Sequence, residues 1–315
     1  MLNILNTVLP VFLIVGAGYL AAKYRFFPET GVSALMGFAQ SFAIPCLLFL
    51  ALFRLDFSRV FDPRLIVSFY GGAIICFALG YVAARRIFHR RPGESVAIGF
   101  GALFSNSVLL GLPIMERAYG AESLAPNYAL IALHAPACYL IGITTMEFLR
   151  ADGRSFAATI QVTARGMFHN AITMASAAGI AYNFSGLPLP GPVSAAAEMV
   201  ARAALPTALF ALGAVLSRYR IRSALGEAMT VTFLSIIVHP AIAFVLTHHV
   251  FNLEPGFVRS ATVMAAMAPG VNVYVFSSIY DRATGEVAST IIIATAASVV
   301  SVAGWLWILG GAATG

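Results

Sequence analysis

The chain has 315 residues, of which 60% are hydrophobic and only 10% are charged, and its net charge is +6. Because soluble domains average about 25% charged residues, this composition excludes an ordinary soluble enzyme and predicts an all-α polytopic membrane protein. The single lysine, Lys23, lies outside any Gly-Lys-Ser/Thr loop, which argues against ATP-driven transport by this chain. We expect the basic excess to mark cytoplasmic loops and not a nucleic-acid partner.

Neither a cofactor nor a metal ion is expected. Cys46, Cys76 and Cys138 each lie within an apolar run, and no Cys-x-x-Cys spacing occurs. Such residues are typical of buried thiols without disulfide or metal roles. Since the sequence also shows no catalytic triad, we do not expect an enzyme.

Ten apolar stretches are each long enough, at about 20 residues, to cross a bilayer as a helix. In chain order, spans 1 to 10 are predicted at residues 3–23, 31–53, 64–85, 95–117, 126–149, 167–184, 193–217, 226–248, 259–280 and 287–310. The polar stretch at 150–166 separates five spans from five, which predicts two units, 1–150 and 151–315.

The two units match each other at a constant offset of 161 residues. Three pairs of residues share this offset: Gly18 with Gly179, Pro45 with Pro206, and Tyr119 with Tyr280. Since each unit holds five spans, the second unit enters the bilayer from the opposite side. This pattern predicts the inverted repeat that is found in many secondary transporters.

The basic residues are divided unevenly between the two sides of the bilayer. Loops that follow the odd-numbered spans carry 13 Lys and Arg side chains, and loops on the other side carry five. The positive-inside rule therefore predicts an inner-membrane protein with both termini outside the cytoplasm.

Polar residues and helix breakers interrupt spans 4 and 9 near their midpoints. The central residues are Ser105, Asn106 and Ser107 in span 4, and Pro269, Gly270 and Asn272 in span 9. A broken helix must face protein or a cavity, because its freed backbone groups cannot be left in hydrocarbon. The half-helix after each break presents free N–H groups to an anion, and the two Asn amides add donors. We predict that these six residues bind an anionic substrate; the alternative is that the Asn side chains only join helices.

The same two stretches resemble the crossover motifs of the auxin efflux carrier family, which includes bacterial malonate carriers and the plant PIN auxin exporters. The matching residues are Asn106, Gly111, Pro113, Tyr119 and Gly120 in SNSVLLGLPIMERAYG, and Pro269, Asn272, Tyr274 and Tyr280 in APGVNVYVFSSIY. The sequence departs from the family at Ser105, where the plant exporters have Pro, and at Asn170-Ala171, where bacterial members often have Asn-Pro.

The resemblance covers essentially the whole chain and implies an elevator-type carrier. It implies that spans 1, 2, 6 and 7 form a scaffold and homodimer interface, and that spans 3–5 and 8–10 form the moving transport domain. The implied substrates are small carboxylates, including dicarboxylates such as malonate and auxin-like aromatic acids.

Arg202 is the basic residue left over within span 7, one turn before Pro206. It has two interpretations: a cation that binds a substrate carboxylate, or the ion-pair partner of Glu198 on the same helical face. Gln40 and Ser41 occupy the equivalent stretch of span 2, and we expect Gln40 to line the substrate site.

Three histidines, His134, His169 and His239, are candidate proton carriers, although a hydrogen-bonded core role is the more common one. Two functions besides an organic-anion carrier stay open at this point. One is a sodium-coupled symporter of the bile-acid type, and the other is a membrane sensor that binds an anion without moving it.

The charge distribution leads to a test of topology. A reporter that is active only in the cytoplasm should give no signal when it is fused after Gly315, because the positive-inside rule places this end outside. Reporter activity is measured beside a second fusion, in the basic stretch 84–93, which should be active. A strong signal from the full-length terminal fusion would contradict the topology and the even number of spans.

Overall fold

The computed structural model describes residues 2–149, 170–219 and 224–310, and this part of the chain is helical throughout, without strands. Seven of its helices are long and apolar enough to cross a membrane. Large apolar side chains such as Leu13, Leu140 and Val300 are exposed on the outer helix faces, as expected for contact with lipid. The structure therefore agrees with the prediction of an all-helical polytopic membrane protein.

The helices are numbered here in chain order. They are α1 Leu2–Lys23, α2 Glu29–Phe53, α3 Pro63–Arg86, α4 Pro92–Leu103, α5 107–119, α6 Ala121–Leu149, α7 Ala171–Ser185, α8 Gly191–Arg202, α9 Ala204–Leu216, α10 Leu225–Val250, α11 Pro255–Ala265, α12 Val271–Tyr280 and α13 Thr284–Ile308. Helices α2 and α10 contain π-helical turns, and α5 begins with one. A one-turn helix, Phe57–Val60, links α2 to α3.

Seven of the ten predicted spans correspond to the seven long apolar helices, with span 7 formed by α8 and α9 together. Spans 4 and 9 each consist of two shorter helices, α4 with α5 and α11 with α12. Span 6 is described from residue 170 onward, as α7. The predicted divider at 150–166 and the candidate His169 lie outside the described residues, and the count of ten remains a prediction.

Polar side chains fix where two of the helices begin. The Asp62 carboxylate accepts a hydrogen bond from the backbone N–H of Arg64 at the start of α3, at 2.8 Å. The Asn170 side chain accepts from the N–H groups of Ile172 and Thr173 at the start of α7. Each cap satisfies backbone donors that have no partner within the helix. Side-chain hydrogen bonds from Arg64 also hold the pKa of the Asp62 carboxyl below its ordinary value.

Glycines let two pairs of helices approach each other closely. A Cβ atom built on Gly18 of α1 would lie 2.0 Å from the carbonyl oxygen of Phe210 on α9. A Cβ atom on Gly179 of α7 would lie 2.7 Å from the carbonyl oxygen of Phe49 on α2. Small residues are the usual means by which helices pack within a membrane, where lipid supplies no hydrophobic drive for association.

Helix α4 is surrounded by other helices. It packs against α3, α6, α10, α12 and α13, and every residue at 95–103 is buried. The ring of Phe100 stacks on that of Phe276 from α12, with the ring centroids 4.0 Å apart. A Cβ atom on Gly99 would lie 2.9 Å from the carbonyl oxygen of Phe77, so α3 and α4 are also in close contact. Helix α4 is thus held on several sides up to its last residue, Leu103.

The contact at Gly18 leads to a paired prediction. Gly18→Ala should lower the melting temperature of the purified protein, because overpacking typically costs about 1–3 kcal/mol. Gly16→Ala is the matched control in the same helix, since no atom lies within 4 Å of its Cβ position. Alanine is favoured over glycine inside a helix by roughly 0.5–1 kcal/mol, so this control should be neutral or stabilising. Equal melting temperatures for the two variants would contradict the close packing of α1 on α9.

Candidate functional site

Two non-helical segments cross at the C-terminal end of α4. One joins α4 to α5 at residues 104–106, and the other joins α11 to α12 at residues 266–270. They run antiparallel and exchange two backbone hydrogen bonds. The N–H of Asn106 donates to Ala268 O at 2.9 Å, and the N–H of Gly270 donates to Phe104 O at 3.2 Å.

The crossing explains why proline is tolerated here. Ser105 and Pro269 lie opposite each other in a single antiparallel bridge, and the residues that flank them make the hydrogen bonds. Proline has no N–H to donate, so this is a place in the pairing where that loss has no effect. Pro269 is buried in the crossing itself.

Side chains from neighbouring helices satisfy further carbonyl groups of the two segments. Nε2 of His134 on α6 lies 3.0 Å from Ser105 O, and the hydroxyl of Ser235 on α10 donates to Met267 O at 3.4 Å. The hydroxyls of Ser105 and Ser107 are hydrogen-bonded to each other at 2.8 Å. The break is thus held by protein groups, as a non-helical segment at membrane depth requires.

The helices that leave the crossing begin without side-chain caps. Asn106 precedes α5, and its side chain makes no capping hydrogen bond. Gly270 precedes α12 and has no side chain with which to cap it. The first N–H groups of a helix have no acceptor within it, and they carry a partial positive charge. The amide nitrogen Nδ2 of Asn106 is buried and has no hydrogen-bond partner among the described residues. Hydrogen-bond donors therefore accumulate where α5 and α12 begin.

A cavity of about 70 Å³ lies beside the crossing. Its polar lining residues are Gln40, Ser105, Asn106, Ser107, His134, Tyr139, Asn170 and Asn272. The backbone of Gly270 also borders it. No Asp, Glu, Lys or Arg is among the described residues that line it. Gln40 lies in a π-helical turn of α2, a distortion that often marks functional positions.

Arg202 lies elsewhere. It is exposed, ends α8 and lines a separate cavity of about 1120 Å³ between α1, α2, α5, α6, α8 and α9. The second of its two interpretations, the ion pair with Glu198, is wrong: Glu198 is bound by Arg54, which directly follows α2, and Arg202 acts on it only as a more distant charge. Helix α8 packs against the C-terminal half of α2, which brings Arg54 to Glu198.

Three polar residues that line the cavity, His134, Tyr139 and Asn170, were not among the predicted site residues. His134 was expected to be a core histidine or a proton carrier, and Asn170 was noted only as a departure from a scaffold motif. The sequence gives His134 no clear distinguishing mark, because both histidines lie shortly before a proline, His134 before Pro136 and His239 before Pro240. His239 donates from Nε2 to Phe69 O at 3.0 Å and is not among the residues that line the cavity.

A family model described as "Membrane transport protein" matches residues 3–158 and 149–306 of the chain. A "Putative malonate transporter" of Rhizobium meliloti is 23% identical over 98% of this chain and 97% of that protein. An "Uncharacterized transporter" of Methanothermobacter thermautotrophicus is 25% identical, over 96% and 98% of the two chains. The "Uncharacterized transporter YfdV" of Escherichia coli is 21% identical, over 96% and 97%.

These matches extend over both halves of the chain and agree with the resemblance carried by the two broken spans. Family and relatives alike are named for transport and not for a chemical reaction. The chain therefore belongs to the membrane transport protein family, the auxin efflux carrier-like family of transporters.

Proposed function

We propose that this transporter is a secondary carrier of small organic carboxylates, and that it binds the carboxylate where the two broken helices cross. The observation that carries the proposal is the Asn106 amide, whose Nδ2 is buried beside a cavity and has no hydrogen-bond partner among the described residues. A buried amide without a partner is costly unless a ligand completes it. The malonate named for the Rhizobium meliloti relative supports a dicarboxylate substrate.

Electrostatics supports an anion in this cavity. The starts of α5 and α12 meet there, and the amide side chains of Asn106 and Asn272 stand beside them. Helix N-termini bind carboxylate and phosphate groups through free N–H groups and the helix dipole. The substrate would thus be held by neutral donors and not by a lysine or arginine.

The two halves of the chain would form an inverted repeat. Under the offset of 161 residues, Gly18 corresponds to Gly179, and Phe49 corresponds to Phe210. The two close contacts, Gly18 with Phe210 and Gly179 with Phe49, are therefore exchanged by the repeat. A contact that maps onto its own counterpart supports a pseudo-two-fold axis between the α1–α9 and α2–α7 pairs.

The elevator mechanism follows from this division of the molecule. Helices α1, α2, α7, α8 and α9 would form the scaffold and the interface of a homodimer, and the remaining helices would form the transport domain. The cavity lies between the two bodies, since Gln40 and Asn170 belong to the scaffold and Asn106 and Asn272 to the transport domain. Movement of the transport domain would carry the crossing past Gln40 and open it to each side in turn.

Counterflow in proteoliposomes tests transport directly. Liposomes loaded with malonate should accumulate labelled malonate, because a carrier exchanges substrate across the membrane and a sensor does not. The same assay without Na⁺ separates the carrier from a sodium-coupled symporter of the bile-acid type, which would lose activity. Where malonate gives no counterflow, a panel of short and aromatic carboxylates identifies the carried anion, and failure of the whole panel would reject the carrier function.

Replacement of the two site asparagines should weaken binding. We expect Asn106→Ala and Asn272→Ala each to lose an amide donor to a charged group, worth about 1.5–3 kcal/mol. That corresponds to roughly a 10- to 150-fold higher dissociation constant for the transported carboxylate. Asp at either position should be worse than Ala, because it places a like charge beside the substrate. Ligand titration and melting temperature are measured on the same preparations.

Asn127 is the matched control for that experiment. It is a fully buried Asn of α6, accepting from the Ser260 hydroxyl at 2.6 Å and donating to Ser123 O at 3.1 Å. Asn127→Ala should therefore lower the melting temperature and leave the dissociation constant nearly unchanged. If Asn106→Ala and Asn272→Ala behaved as this control does, the shared carboxylate site would be refuted.

Arg202 is assigned a separate role in the proposal. From the larger cavity it would attract dianions towards the protein without touching the bound substrate. Arg202→Gln should slow uptake of a dicarboxylate more than that of a monocarboxylate, and this difference should shrink at high salt because exposed charges are screened. Initial rates at low and high ionic strength provide the measurement. Equal slowing of both substrates at every salt concentration would count against electrostatic attraction.

A further inference from the structure

We propose that His134 is a positioning residue of the carboxylate site, holding the Ser105 carbonyl so that the crossing keeps its donors directed at the substrate. The inference rests on the proposed function of the crossing. It concerns a side chain that the sequence presents as one of three similar histidines.

His134 completes the hydrogen bonding of the broken helix. Where α4 stops, the carbonyls of the last residues lose the N–H partners that a continuous helix supplies. Phe104 O accepts from the N–H of Gly270 in the other segment. Ser105 O accepts from Nε2 of His134 at 3.0 Å. Because a carbonyl oxygen can only accept, the imidazole carries its hydrogen on Nε2.

The neighbours of the imidazole fix its orientation. Its Nδ1 lies 3.7 Å from Sγ of Cys138, one helical turn further along α6, and that thiol is also 3.8 Å from Leu103 O. The rings of Phe104 and Phe69 lie at 4.7 Å and 5.6 Å from the imidazole, centroid to centroid, both in edge-to-face arrangements. A ring confined on these sides has few alternative rotamers, so the Nε2 donor stays in place.

The position of Ser105 gives this hydrogen bond its effect on binding. Ser105 directly precedes Asn106, whose N–H pairs with Ala268 O and whose amide lies beside the cavity. Without a donor, the Ser105 carbonyl would present the negative end of its dipole near the place where we locate a carboxylate. Loss of the imidazole would therefore both loosen the crossing and weaken the attraction for an anion.

His239 provides a control with nearly the same geometry. It is buried, 1% exposed against 4% for His134, and its Nε2 also lies 3.0 Å from a backbone carbonyl oxygen, that of Phe69. The residues that line the cavity include His134 and not His239. If both histidines are purely structural, their replacement should have the same consequences. If His134 positions the crossing, the consequences should differ.

The experiment compares His134→Asn, His134→Gln and His239→Asn in the full-length protein. Glutamine retains an N–H donor at about the reach of imidazole Nε2, whereas asparagine is too short. The first measurement is backbone hydrogen exchange in peptides that cover 104–111, which needs no ligand. We expect about 3- to 10-fold faster exchange there in His134→Asn, wild-type exchange in His134→Gln, and wild-type exchange in His239→Asn.

The second measurement is malonate binding by the same variants. His134→Asn should raise the dissociation constant about 3- to 10-fold, and His239→Asn should leave it within about 2-fold at a similar loss of melting temperature. Equal exchange at 104–111 in the two asparagine variants would overturn the assignment of His134. If the wild type bound no carboxylate while exchange differed as expected, the proposed substrate would fail and the positioning of the crossing by His134 would stand.

Discussion

The pair of hydrogen bonds between the two broken helices is the constraint on which the rest of the site depends. These bonds, from Asn106 N–H to Ala268 O and from Gly270 N–H to Phe104 O, join two segments whose backbone groups have no hydrogen-bond partners within a helix. Through them, two helices that are more than 150 residues apart in the sequence begin at the same point. If either bond were absent, a buried backbone group would lack a partner, at a cost of several kcal/mol in hydrocarbon. The closely packed helices around α4 hold both segments in register.

Much of the fold could be predicted from the sequence because membrane helices have a simple physical requirement. A stretch of about 20 apolar residues without charges is recognisable by length alone, and seven long helices appear where such stretches occur. The breaks were recognisable as well, because Asn106 and the Pro269-Gly270 pair lie where the bilayer tolerates such residues least. These signals are local, and each can be evaluated from one segment.

The parts that could not be predicted depend on contacts between distant segments. The ion-pair partner of Glu198 is Arg54, which directly follows α2, and the i, i+4 spacing to Arg202 gave no indication of it. His134 and His239 are alike in sequence, and only the packing of α6 against the end of α4 distinguishes them. The antiparallel bridge between Ser105 and Pro269 is likewise a tertiary feature, and the residue pattern within either segment does not predict it.

The lack of charged side chains among the described residues that line the site cavity has an electrical consequence. In the proposed cycle, no lysine or arginine among these residues would compensate the carboxylate, so each transport event would transfer the charge of the substrate itself. A charge that traverses the membrane gains or loses about 2.3 kcal/mol for each 100 mV of potential. In a cell with a negative interior, this term drives anions outward, and it doubles for a dianion. The neutral cavity would thus make the membrane potential an energy source for export.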